Sequence, residues 1–169
     1  MSPWRQVRAI ALLPGVVVVL VPLVILIGSE PNIGWGLGKG AAVLTVLLGL
    51  SLVAIGFALW LWTVRLFAGF GKGTLAPWDP PRSLVVEGPY RHVRNPMITA
   101  VLAVLAGEAV LLGSPSLLVW FALFLAINYV FFRLYEEPGL ERRFGEDYRT
   151  YKRNVPRWLP RRTPWTPPR

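Results

Sequence analysis

The 169-residue chain has no cysteine and a single histidine. The first absence removes disulfides, thiolate nucleophiles and sulfur-ligated metal sites. The second leaves no imidazole cluster from which a zinc site could be built, so no metal is expected. Acid is scarce as well: nine Asp and Glu stand against eighteen Lys and Arg, for a net charge of +9. In a water-soluble domain that balance would suggest nucleic acid. Here the basic residues flank apolar runs, where they set orientation and attract anionic headgroups, so membrane lipids and not nucleic acid are the expected partners. With 54% hydrophobic residues, a single domain of this size has more apolar surface than it can bury without lipid.

What is abundant is apolar sequence, in four runs at residues 10–27, 41–62 (extending to about 70), 97–112 and 116–132. A bilayer core about 30 Å thick needs roughly 20 apolar residues in a helix, with about 17 to 25 workable. The first two runs meet this easily. The third, which carries Glu108, and the fourth sit near the lower limit and read as a tight pair joined by Gly113-Ser114-Pro115. Pro14 and Pro22 interrupt the first run and no small-x-small cleavage site precedes Glu30, so it reads as a retained helix and not a signal peptide. Four crossings put both termini on one side with seventeen of the eighteen basic residues, leaving only Lys39 opposite. The positive-inside rule makes that side cytoplasmic. The expected fold is an all-α integral membrane bundle of about four transmembrane helices, one domain over residues 1–169.

Between the first two helices, Gly34, Gly36, Gly38 and Gly40 alternate and fit a degenerate dinucleotide pattern. That pattern requires a βαβ unit, so a flexible loop is expected. Gly49, Ala54, Gly56 and Ala58 allow close helix approach in the second run. Pro77, Pro80, Pro81, Pro89 and Pro96 keep residues 71–96 from forming one helix, and Pro96 suits the first turn of helix three. The exposed N–H groups there, beside Arg94 and Asn95, either attract an anion or simply form a cap flanked by positive-inside arginines. At the exit of helix four, Arg133 can pair with Glu137 at i,i+4, leaving Glu136 about 100° away for another partner. Pro138 is expected to disrupt the helix. Leu140, Phe144, Tyr148, Tyr151 and Val155 then mark an amphipathic helix on the membrane surface or over the cytoplasmic mouth of the bundle, as anchor or lid. His92 reads as a surface residue, and Glu108 as a functional candidate or a helix–helix hydrogen bonder.

Gly88-Pro89-Tyr90, Arg94-Asn95-Pro96-Met97, the Glu136-Glu137 pair and the run from Arg142 through Val155-Pro156-Arg157 to Pro160 occur in that order. Together they resemble the isoprenylcysteine carboxyl methyltransferase family and its bacterial relatives, and more distantly the phospholipid N-methyltransferases, from Thr74 to about Pro160. The resemblance implies an S-adenosylmethionine-dependent methyltransferase of the bacterial inner membrane, its cofactor at the cytoplasmic end of the last two helices and a lipophilic acceptor entering from the bilayer. It implies a cofactor pocket lined by Leu84, Val85, Tyr90, Asn95, Pro96, Met97, Ile98 and Glu136, with Arg94 suited to the cofactor's carboxylate, and catalytic positions at Arg133 and Glu137. Relatives often carry His at position 95 and Tyr at position 98. By hydropathy residues 1–70 supply two helices; by the resemblance residues 71–160 form the methyltransferase region, and residues 161–169 are a Pro/Arg-rich tail. Methyl transfer requires in-line positioning and exclusion of water, without metal or protein nucleophile. An NADPH-dependent membrane reductase of the sterol reductase type and a non-catalytic packing protein are the alternatives.

Overall fold

The computed structural model describes residues 14–66 and 84–167, together with the helical backbone of residues 67–70. The basic N-terminus with Arg5 and Arg8, the start of the first apolar run, the proline-rich stretch 71–83 and Arg169 lie outside the described residues. The described residues form helices and no strand. These are α1 (Val16–Ile27), α2 (Lys39–Phe70), α3 (Pro96–Leu112), α4 (Pro115–Phe131) and α5 (Glu137–Asn154). A 3-10 turn, Gly88–Arg91, precedes α3, and a π-helical turn, Phe132–Glu136, joins α4 to α5.

Two stretches are long and apolar enough to cross a membrane: Lys39–Leu66 within α2, and the continuous helix Pro115–Asn154. In the second, the apolar crossing part is α4, because charged residues begin at Arg133. Apolar side chains point away from the bundle, with Leu44 and Ile55 on α2 and Val119 and Ile127 on α4 each about 60% exposed. A water-soluble protein would bury such stripes; here lipid is the solvent they fit. α3 is the central helix and buries Ala100, Val101, Leu105 and Ala109.

Glycines let α2 and α3 meet. A Cβ at Gly107 would lie 2.7 Å from Val53 Cγ2 and 2.8 Å from the Gly49 carbonyl oxygen, and one at Gly56 would lie 2.7 Å from the Ala100 carbonyl oxygen. Ala54 and Ala58 are exposed and take no part in this contact. Gly107→Leu is therefore expected to force the two helices apart and cost about 1–3 kcal/mol or more. Gly38→Ala, with no atom within 4 Å of the new Cβ, should be neutral. Melting temperature and monodispersity in detergent report both.

The loop before α2 is ordered, contrary to the flexible reading. Gly34, Trp35 and Gly36 all have positive φ. The Trp35 N–H donates to the Asn32 carbonyl at 2.7 Å, and its indole Nε1 donates to the Val110 carbonyl of α3 at 2.9 Å. Gly113 ends α3 in the left-handed conformation, as helix C-termini favour, and Asn32 packs so close that any Cβ there would collide with it. Ser114 Oγ accepts the Leu117 N–H at 3.3 Å and caps α4. Near the start of α1, the Val17 carbonyl accepts the Trp120 indole N–H at 3.2 Å, tying α1 to α4.

Pro138 does not break the chain's path. The helix continues through it by way of the π-helical turn Phe132–Glu136. Such turns absorb a lost i→i−4 bond by widening the helix. The interruption comes at Gly145 (φ 56, ψ −128), which divides α5 into two short helical pieces.

Candidate functional site

One end of the bundle carries the polar chemistry. Leu84 to Glu87 lead into the 3-10 turn, with Glu87 extended, and Gly88 has φ 53 and backs onto Trp62 and Leu66 of α2. The chain then enters α3 through Asn95. The whole segment is stitched to residues that follow α5. The Arg94 N–H donates to the Pro156 carbonyl at 2.9 Å, the Arg161 N–H to the His92 carbonyl at 3.0 Å, and the Trp165 N–H to the Arg91 carbonyl at 2.9 Å. Side chains return the bonds: Arg91 Nε donates to the Trp165 carbonyl and His92 Nδ1 to the Arg161 carbonyl, both at 2.8 Å. His92 is thus a fastening and the 161–167 part of the tail is a strap. Tyr151 Oη adds a bond to the Tyr90 carbonyl at 2.7 Å. The apolar face of α5 packs onto protein, with Tyr148, Tyr151 and Val155 forming a buried cluster against Leu84, Val86, Leu140, Phe144 and Trp165.

The two adjacent carboxylates meet opposite environments. Glu137 is 4% exposed. Its Oε1 accepts from Arg94 Nη1 at 2.9 Å and Arg157 Nε at 2.7 Å, and its Oε2 lies 3.3 Å from Lys152 Nζ. Lys152 also bonds Glu141 at 2.7 Å, and the Arg157 guanidinium lies 5.3 Å from the centre of the Tyr129 ring. Burial alone would raise the Glu137 carboxyl, but the Arg157 hydrogen bond, the Arg94 and Arg157 charges and Lys152 outweigh it and hold it below the usual carboxylate range. Glu136 has neither hydrogen bond nor ion pair to any described residue. Burial, and then the Glu137 charge beside it, push its carboxyl up to about 7. Tyr90 is raised by burial first, then by Tyr151 and Glu136, which places its phenol within electrostatic reach of the free carboxylate. Tyr148, pushed up to about 12 by burial and then by Glu137, faces the ion-paired side next to Arg94.

The expected Arg133–Glu137 pair is not formed. Arg133 is exposed and Glu137 bonds Arg94, Arg157 and Lys152 instead. The physical reason is burial: Glu137 turns into the protein, where Arg94, Arg157 and Lys152 take both its oxygens, while Arg133 stays exposed. The residues expected around the cofactor divide into two groups. Tyr90 lies within electrostatic reach of Glu136 and Arg94 bonds its neighbour Glu137, and Asn95, Pro96, Met97 and Ile98 follow directly at the start of α3. Leu84 and Val85 instead line a neighbouring groove of about 740 Å³ with Arg91, Phe144, Asp147 and Trp165. The Asn95 side chain makes no cap; its carbonyl takes the Thr99 N–H at 2.9 Å and hydroxyl at 3.0 Å. Glu108 has a buried oxygen without a partner, three helical turns along α3. Among the described residues no group of His, Asp and Glu is placed to hold a metal ion. Arg157, Lys152 and Trp165 belong to the site although sequence reasoning does not place them there; only the Val155-Pro156-Arg157 signature points to the first of them.

Comparison with curated proteins and with solved structures yields no match. Comparison with protein-family models matches residues 44–147 to the family described as phospholipid methyltransferase. The match runs from α2 through the 3-10 turn, α3, α4 and the acidic pair into α5, and covers more than half of the chain. With two helices apolar enough to cross a membrane and the acidic pair held inside the matched region, the chain belongs to the phospholipid methyltransferase family.

Proposed function

We propose that the protein is an integral membrane methyltransferase that uses S-adenosylmethionine to methylate a small lipophilic acceptor carrying a carboxylate, thiol or amine. The observation that carries this reading is Glu136: a half-buried carboxylate with no partner among the described residues, beside a carboxylate that three cations hold. A site of that kind fits a ligand with a positively charged end. When bound, S-adenosylmethionine supplies an electrophilic methyl group on a sulfonium.

The chain's own residues hold, orient and dry the site. Glu136 offers its charge to the cofactor's ammonium or its oxygens to ribose hydroxyls. The first N–H groups of α3, at Met97 and Ile98, are oriented for its carboxylate. Arg94, committed to Glu137, positions the acidic pair and does not reach for the cofactor. Tyr90 and Pro96 exclude water, and Leu84 and Val85 offer an apolar wall to the adenosyl group. Glu137 is a structural anchor, and Arg133, exposed beyond the last turn of α4, sits where lipid headgroups would meet it. In this reading four helices cross the membrane, the end bearing the acidic pair faces the cytoplasm, α5 lies at the interface, and the acceptor enters sideways from the bilayer. Equilibrium binding of radiolabelled S-adenosylmethionine and of NADPH to detergent-purified protein tests the reading. Saturable binding of the first alone is expected; binding of NADPH alone would make the protein a reductase, and binding of neither a packing protein.

A further inference from the structure

α3 and α4 form a short hairpin. Each has 17 residues, about 25 Å of helix, against a hydrocarbon core of roughly 30 Å. α2 is longer and runs past the hairpin's turn. A Cβ at Gly49 would lie 2.7 Å from Leu111, and one at Gly56 would lie 2.7 Å from the Ala100 carbonyl oxygen. The two helices are therefore antiparallel, and Gly113, at the end of α3, stands close to the level of Thr45. From there to Lys39, where α2 begins, the helix extends on the order of 10 Å further. These extra turns are apolar and face outward, with Val43 57% and Leu44 67% exposed.

The segment that leads into α2 fills this step. Asn32 packs on Gly113, and a Cβ at Gly34 would lie 2.6 Å from that of Ala42. The Trp35 indole bonds the Val110 carbonyl at 2.9 Å, in the last turn of α3. The segment is thus held beside Val43 and Leu44, at the depth where α2 meets acyl chains. Its surface suits that depth: Ile27, Ile33 and Leu37 are 87%, 65% and 50% exposed. Its backbone bonds itself, with the Trp35 N–H on the Asn32 carbonyl at 2.7 Å, the Leu37 N–H on the Gly34 carbonyl at 3.0 Å, and the Gly36 N–H on Asn32 Oδ1 at 3.2 Å. Irregular backbone is tolerated at membrane depth where the protein itself satisfies its polar groups. Glu30 and Lys39 are exposed toward the two ends of the segment, and the long Lys39 stem lets its ammonium reach the headgroups.

We propose that residues 27–38 form a membrane-embedded cap on the α3–α4 hairpin, with Ile27, Ile33 and Leu37 against lipid in the leaflet away from the acidic pair. Lipid is the occupant of this surface because the patch continues the lipid-facing stripe of α2 at Val43 and Leu44. The cap closes the hairpin at that end, so a ligand of the acidic pair arrives from the opposite face or sideways from the bilayer. The proposal rests on α2 crossing the membrane and on nothing about methyl transfer.

The test uses the absence of cysteine, which lets a nitroxide be attached at one position at a time in the full chain. The positions are Ile33→Cys and Leu37→Cys, with Ile55→Cys, 62% exposed on α2, as the lipid reference and Arg162→Cys, exposed in the tail, as the water reference. In phosphatidylcholine vesicles, electron paramagnetic resonance power saturation reads contact with oxygen, which concentrates among acyl chains, and with a water-soluble nickel chelate. Labels at Ile33 and Leu37 should match Ile55 in oxygen contact and show several-fold less nickel contact than Arg162. Should one of the two variants fail to fold, the other decides alone. Nickel contact at either position equal to that at Arg162, with Ile55 shielded, makes the segment a loop in water and overturns the cap. Low contact with both reagents means that a second copy or another protein covers the patch, and overturns the lipid assignment. Nickel contact at Ile55 as high as at Arg162 rejects the membrane reading of α2, and the cap with it.

Discussion

Glu137→Ala is expected to be the most damaging single substitution at the polar end of the bundle. Removing one member of a buried ion pair leaves the others uncompensated and costs about 3–5 kcal/mol. Here it strands Arg94 and Arg157, with side chains 9% and 15% exposed, against each other. Lys152 is 38% exposed and contributes less because water screens it. The damage should spread, because Arg157 sits in the segment that pairs with residues 91–94. Melting temperature in detergent measures the loss, and Glu141→Ala, partnered only by Lys152 among the described residues, should shift it far less. The pH dependence has a definite sign. The folded-state carboxyl of Glu137 lies below its unfolded value. The stabilisation it provides is therefore present at neutral pH and above the ordinary carboxylate pKa, and it is lost as pH falls through the depressed folded value. Wild type should lose stability in that acidic window and Glu137→Ala should not, so the two melting curves converge at low pH.

The second large effect is expected at Glu136. If it receives the cationic end of S-adenosylmethionine, Glu136→Gln removes one charge-assisted hydrogen bond, worth about 1.5–3 kcal/mol or roughly ten- to a hundredfold in affinity. Its carboxyl titrates near 7 in the unliganded protein, and only the ionised form attracts a cation. Affinity should accordingly rise with pH through about 7 and then level off. Below that point it should fall by about tenfold for each pH unit, because each unit costs 1.36 kcal/mol of deprotonation. Glu136→Gln should bind weakly and without this pH dependence. Calorimetric titrations between pH 6 and about 8.5 separate the cases; a wild-type curve as flat as the variant's would remove Glu136 from the site.

The helices are legible in the sequence because their signals are local. Uninterrupted apolar runs, Pro96 at a first turn, and Gly113-Ser114-Pro115 between two helices each specify backbone within a few residues. The order of Tyr90, Arg94, Asn95, Pro96 and the acidic pair likewise leads to the right family. The distribution of labour within the pair is not legible. Whether Arg133 meets Glu137 depends on which of the two side chains the tertiary packing turns inward, and Glu137 is buried while Arg133 is exposed. The partners Glu137 does have, Arg94 and Arg157, are 43 and 20 residues away in sequence, beyond any periodicity argument. The loop around Trp35 misleads for a related reason. Its glycines spell flexibility, and its order comes from the indole bond to the Val110 carbonyl 75 residues on. The apolar face of α5 is plain from the spacing of its residues, yet hydropathy alone does not distinguish lipid from Leu84, Val86 and Trp165 as what covers it.

The stitching of residues 91–94 to residues 156–165 has a consequence for biosynthesis. Apolar helices such as α2 and α4 can enter the membrane as they emerge, since each needs only its own backbone bonds and a neighbour. The segment between the 3-10 turn and α3 acquires its hydrogen-bond partners only after the residues around Trp165 have left the ribosome, about 70 residues later, as the span from Arg91 to Trp165 requires. Glu137 in turn has only Arg94 among its three cations until Lys152 and then Arg157 emerge. The apolar helices are thus made before the polar end can assemble, and a nascent chain halted short of Arg157 would lack both that cation on Glu137 and the strap on residues 91–94.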